Sequence, residues 1–122
     1  MIRIKSILFN RDSEEADVEL ESNGVCIRCY LHPIESIERI PALLENNLLA
    51  FLVTDVVEED DPVPIASQTN DGYYSYYLRG RVISESQIQI HEFIIDIGFL
   101  PNDIHLGAIV SCQCLRIDML NN

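Results

Sequence analysis

Positive charge is scarce in this sequence. Eight basic residues, with Lys5 the only lysine, stand against 20 acidic ones, for a net charge of −12. Such a surface repels nucleic acid and anionic membranes, and it lacks the counterion release on which nucleic-acid affinity is built. Long apolar runs are missing too. The longest, Leu48 to Val53, falls far short of the roughly 20 residues that span a bilayer. The opening Met1-Ile2-Arg3-Ile4-Lys5-Ser6-Ile7 mixes charged and apolar residues, whereas an export signal needs an unbroken apolar stretch of about 7–15. A cytoplasmic location without membrane insertion is expected, and there the four cysteines are reduced thiols. No nucleophile elbow, phosphate loop or His-Glu-x-x-His helix occurs, nor the Asp-x-Asn-x-Asp-Gly spacing of a calcium loop. The expectation is therefore a protein that is not an enzyme and carries no cofactor.

What is present reads as one domain, 1–122, long enough to bury a core without metal or disulfide. Strand signals dominate. Residues 3–9 are rich in β-branched and apolar side chains. In 17–21 Val18 and Leu20 alternate strictly with Asp17, Glu19 and Glu21, and Asn23-Gly24 marks a tight hairpin into 25–31. Val25, Ile27, Cys29 and Leu31 then face inward, completing a three-strand meander. Pro33 ends it. Ile34, Ile37 and Ile40 recur every third residue, which predicts a short helical segment between Pro33 and Asn46, interrupted at Pro41. Residues 48–57 read as a buried strand, and 58–72 as a long acidic loop, because four successive acids repel and two prolines break any ladder. Residues 73–84 read as a strand, with Gly80 marking a bulge or a close backbone approach. In 87–97 and again in 105–119 the apolar parity changes, as a bulged, bent strand requires. These features predict a mainly β fold with one short helix. The architecture is a bent antiparallel sheet or small OB-like barrel of about six or seven strands.

Three constellations bear on function. Cys26 and Cys29 with His32, and Cys112 with Cys114, invite a zinc reading. Odd spacing within a strand turns Cys26 and Cys29 to opposite faces, so small buried thiols fit better and no metal is expected. His32, His91 and His105 read as boundary or surface residues. Tyr74, Tyr76, Leu78 and Val82 share the inner face of their strand, leaving Tyr73, Tyr77, Arg79 and Arg81 on the outer one. That outer face suits a protein interface or the rim of the fold. Stacked single-stranded nucleic acid is the alternative, opposed by the net charge. The acids fall into two groups, one from Asp12, Glu14 and Glu15 to Glu21 and one over Glu58, Glu59, Asp60 and Asp61. They either keep the protein soluble or steer a basic partner to it.

The closing rhythm is Ile95-Asp96-Ile97, Leu100-Pro101-Asn102-Asp103-Ile104, Gly107, Ile109-Val110-Ser111-Cys112 and Arg116-Ile117-Asp118. With Tyr77-Leu78-Arg79-Gly80 before it, it resembles a set of small bacterial proteins with OB-like barrels. The resemblance is confined to the C-terminal part and implies a fold, not an activity. The function expected from the residues is a protein-binding module for a basic partner, in its most specific form an immunity protein that neutralises a nuclease-type toxin. The expected contact residues are Asp12, Glu14, Glu15, Glu58, Glu59, Asp60, Asp61, Tyr73, Tyr77 and Arg79. A barrel that binds single-stranded nucleic acid or a small ligand is the first alternative, and an enzyme with a site around the histidines or cysteines the second.

Overall fold

Alternating residues in the first quarter of the chain build a meander of β1 (Arg3–Asn10), β2 (Glu15–Ser22) and β3 (Val25–Leu31). The computed structural model describes residues 1–45 and 47–120. β2 buries Ala16, Val18, Leu20 and Ser22 and turns Glu15, Asp17, Glu19 and Glu21 outward. Asn23 and Gly24, at φ of 51° and 82°, both take the left-handed conformation that a two-residue hairpin of primed type demands. The helical segment is a 3₁₀ helix, Ile37–Glu45, lying inside the expected range. It runs through Pro41 rather than stopping there. Ile40 and Leu43, three apart, share its buried side, as 3₁₀ geometry dictates, whereas Ile37 is exposed. Asn46, the expected end of the segment, lies outside the described residues.

The remaining strands are β4 (Leu48–Phe51), β5 (Thr54–Glu59), β6 (Ile65–Gln68), β7 (Tyr76–Val82), β8 (Gln87–Ile90), β9 (Phe93–Asp96), β10 (Ile109–Cys114) and β11 (Arg116–Met119). All belong to one sheet in the order β1-β2-β3-β11-β4-β9-β8-β7-β10-β5, with β6 also on β7. The sheet is mainly β as expected, but it has eleven strands, not six or seven. It is mixed rather than antiparallel, since β11 runs parallel to β3 and β4 parallel to β9. It is open, with β1 and β5 at the ends of this order and β6 paired on one side only, with β7.

The strand count rises because long apparent strands are broken. Residues 87–97 form a tight hairpin: Ile90 faces Phe93 across a His91-Glu92 turn, with His91 at φ of 53°. Two residues opposite each other share a face, which is why the parity changes without a bulge. Strand 105–119 begins at Ile109 and breaks at Leu115, which is exposed rather than inward. Its antiparallel partner, 48–59, breaks at Leu52-Val53, with Leu52 at φ of 52°, and the Leu115 N–H donates to the Phe51 carbonyl at 3.0 Å. The two ribbons bend together. The segment 48–57 is thus buried only at its start, since Phe51, Leu52 and Val57 are exposed. The 58–72 segment is not one loop either. Glu58 and Glu59 pair with Val110 and Ile109, and Ile65–Gln68 pairs with β7. Strand 73–84 starts only at Tyr76.

Bending brings both halves of the sheet around one contiguous apolar cluster, from Val18 and Leu20 through Phe93 and Ile95 to Ile117 and Met119. At Gly80 a Cβ would stand 2.6 Å from the Gln89 carbonyl oxygen, so the glycine marks a close approach of β8 to β7. Among the described residues no helix is long and apolar enough to cross a membrane.

Candidate functional site

The outward residues of β2, β3 and β11 meet the turn before β7 in a patch of aromatic rings, arginines and carboxylates. Register sets it up: Asp17 lies beside Tyr30, Glu19 beside Arg28, and Tyr30 beside Asp118. The Tyr30 hydroxyl donates to Glu15 at 2.7 Å, and the Tyr74 hydroxyl donates to Asp17. Tyr30 meets Tyr74 edge to face at 5.6 Å, and Tyr74 meets Tyr73 likewise at 4.8 Å. Arg116 sits over both Tyr30, at 4.4 Å, and Phe51, at 4.7 Å, while gripping Asp118 at 2.6 and 3.1 Å. Arg28 lies 4.1 Å over the Tyr73 ring and donates to the Tyr73 carbonyl at 3.1 Å. Its backbone N–H donates to the Tyr76 hydroxyl at 2.8 Å.

These contacts shift the titrations. The Tyr30 hydroxyl bond holds the Glu15 carboxyl below its usual range. Burial, helped by the neighbouring carboxylate, raises the phenols of Tyr30 and Tyr74. Asp118 raises Arg116. All four groups therefore keep their ordinary charge at neutral pH.

The expected contact residues are divided between regions. Glu15 belongs to this patch. Asp12 and Glu14 lie exposed in the β1–β2 turn, where the Glu14 carbonyl accepts from Ile34 at 2.9 Å. Tyr73, 54% exposed, leaves the expected stripe with Tyr77 and Arg79 and packs on Arg28 instead. Tyr74, expected inside, is only half-buried. Tyr77 and Arg79 lie on the outer face of β7. Arg79 donates to Asp61 at 3.2 Å and to the Val63 carbonyl at 2.8 Å. Glu59 accepts from Ser111 at 3.1 Å, while Glu58, Asp60 and Asp61 are exposed. The two acidic groups stand at opposite ends of the strand order, β2 against β5.

Arg28, Tyr30, Arg116 and Asp118 are site residues that the sequence reading passed over. The alternation that turned Ile27 and Cys29 inward turns Arg28 and Tyr30 outward, so half of this patch had a signal. Its assembly with β11 did not, because that pairing is parallel and distant in sequence.

Cys29, Cys112 and Cys114 are buried and Cys26 half-buried, all as free thiols. Burial pushes Cys112 up to about 12 and Cys114 up to about 11, and raises Cys29 as well. Among the described residues no group of three or more His, Cys, Asp or Glu is placed to hold a metal ion. No family model, curated protein or solved structure matches the chain.

Proposed function

We propose that the protein is a non-enzymatic binding module for a cationic protein partner. The observation that carries this is how charge is allocated. Among the described residues, ion pairs take up Arg3, Arg79 and Arg116, and Arg28 is spread over Tyr73, so half of the eight basic side chains are already engaged. The same pairs, with that of the N-terminus, occupy only Glu21, Asp61, Glu92 and Asp118 of the 20 carboxylates. The exposed basic residues outside these pairs, Lys5, Arg11, Arg39 and Arg81, are far outnumbered by the remaining carboxylates, so the field that faces solvent is net negative. That field accelerates encounter with a basic protein and opposes phosphate. Tyr73 supplies an exposed aromatic anchor beside it, of the kind that dominates interfaces. In its most specific form the protein is a cytoplasmic immunity protein, and the partner is a nuclease-type toxin whose phosphate-binding surface the acids cover.

The test is capture of partners on the immobilised chain, followed by titration of each against the free chain and against a labelled single-stranded oligonucleotide at about 0.15 M salt. A basic partner, losing any nuclease activity as the chain is added, is expected. Tight oligonucleotide binding, or a captured partner that is acidic, contradicts the proposal.

A further inference from the structure

β5 is the last strand of the sheet, paired on one side with β10. Among the described residues no strand lies on its other side, and none of the turn or loop backbone hydrogen bonds ends on Thr54–Glu59. The chain does not fold back to cover that side. After Asp60 it crosses the outer face toward β7, where Arg79 holds Asp61 and the Val63 carbonyl, two strands in from the edge. Thr54, Asp55, Val57 and Glu58 are exposed along it, Val57 by 53%. An open edge of this kind presents a row of backbone donors and acceptors that another extended chain can complete.

The edge is selective about what completes it. Two residues, Asp55 and Val56, oppose one on β10, and Asp55 sits at φ of 56°, so a bulge leaves the regular run at Val57–Glu59. A second copy paired antiparallel about Glu58 would set that carboxylate against its own twin, with Glu59 and Asp60 close by. Like charges opposed across strands are destabilising. The edge at the far end of the strand order does not complement this one freely either. On β1, Arg3 is tied to Glu21, and Lys5, at the Ile4/Ser6 irregularity, reaches Cys26 Sγ at 3.7 Å. A strand carrying lysine or arginine opposite Glu58 and Asp60 meets attraction instead.

We infer that β5 is a docking edge to which an extended, lysine- or arginine-rich segment of the partner adds as a further strand. This rests on the cationic-partner proposal and goes beyond it by naming the edge and the conformation of the bound segment. Backbone hydrogen bonds then supply generic affinity, and Glu58 and Asp60 supply the preference for positive charge.

The test uses the full chain and a labelled nine-residue peptide alternating lysine with threonine and valine. A second peptide has the same sequence with every second backbone nitrogen methylated along one edge, which removes donors without changing charge. A third replaces each lysine by glutamate. The lysine peptide is expected to bind and to protect the amides of Val57–Glu59 from hydrogen exchange. Methylation should weaken it at least about tenfold, and Glu58→Gln with Asp60→Asn at least about threefold, without change of fold. Equal binding of the methylated peptide, or protection elsewhere, overturns strand addition while leaving the cationic-partner proposal standing. Equal binding of the glutamate peptide overturns both. Self-association of the chain that protects the same amides also overturns the inference, since the edge would then belong to a second copy.

Discussion

At the scale of single residues, Gly80 is the position where the backbone leaves least room. Any side chain there drives into the Gln89 carbonyl, with the Ile90 side chain 2.9 Å away, and neither can move without parting β7 from β8. Gly80→Ala should destabilise by about 1–3 kcal/mol, read as a lowered urea midpoint at unchanged slope. The thiols make a second prediction. Cys29, Cys112 and Cys114 have folded pKa values raised by burial, so the native chain keeps protons that the unfolded chain releases. Their contribution is complete below the unfolded thiol value of about 8.5 and is lost as pH rises above it, by up to about 1.4 kcal/mol per pH unit for each thiol. Urea midpoints at pH 7 and pH 10 should differ clearly in that direction. Equal midpoints would mean the thiols are not buried as described.

At the scale of elements, local chemistry was legible in the sequence where it acts locally. The alternation in 17–21, the Asn23-Gly24 turn and the glycine at 80 each specify a nearby backbone, and each is found. Residue 33 to residue 46 was readable as a short helical stretch for the same reason. The breaks in the long strands were legible only as parity changes. A two-residue turn at His91-Glu92 and a bulge leave the same trace in an apolar pattern, so the sequence alone did not separate them. The parallel pairs of β3 with β11 and of β4 with β9 had no local signal, since non-local pairing is decided by packing of the whole sheet. The site suffered similarly. Individual tyrosines and acids were recognisable as candidates, but Tyr74 reaching Asp17 and Arg116 reaching Tyr30 depend on which strands meet. These contacts tie the β6–β7 turn and β11 to the meander. Tyr74→Phe removes a hydroxyl donated to a carboxylate at a half-exposed site and should cost about 1 kcal/mol by chemical denaturation. Tyr73→Ala removes its contacts with Tyr74 and Arg28 and should cost about 1 kcal/mol, and in a complex that covers it should speed dissociation, because buried aromatic anchors act on off-rates. Unchanged dissociation would place Tyr73 outside the interface.

At the scale of the whole molecule, the excess of carboxylates is the property that no element explains. Fourteen of the 20 acids fall within residues 1–61, yet the fold spreads them over the β1–β2 turn and β2, the surroundings of the 3₁₀ helix and the β5 edge rather than massing them at one spot. A field spread this way acts at a distance. It raises the encounter rate with a cation above the neutral range of about 10⁵–10⁶ M⁻¹s⁻¹, and salt screens that attraction beyond a Debye length of roughly 10 Å at 0.1 M. The most direct measurement is therefore the association rate of the captured partner by stopped flow, from low to high salt, for the native chain and for one with Glu58→Gln, Glu59→Gln, Asp60→Asn and Asp61→Asn. The native chain should bind fastest at low salt and slow steeply as salt rises, and the neutralised chain should bind more slowly with a flatter dependence. Identical rates and identical salt slopes for the two chains would contradict the account, and would leave the acidity of that edge as a matter of solubility alone.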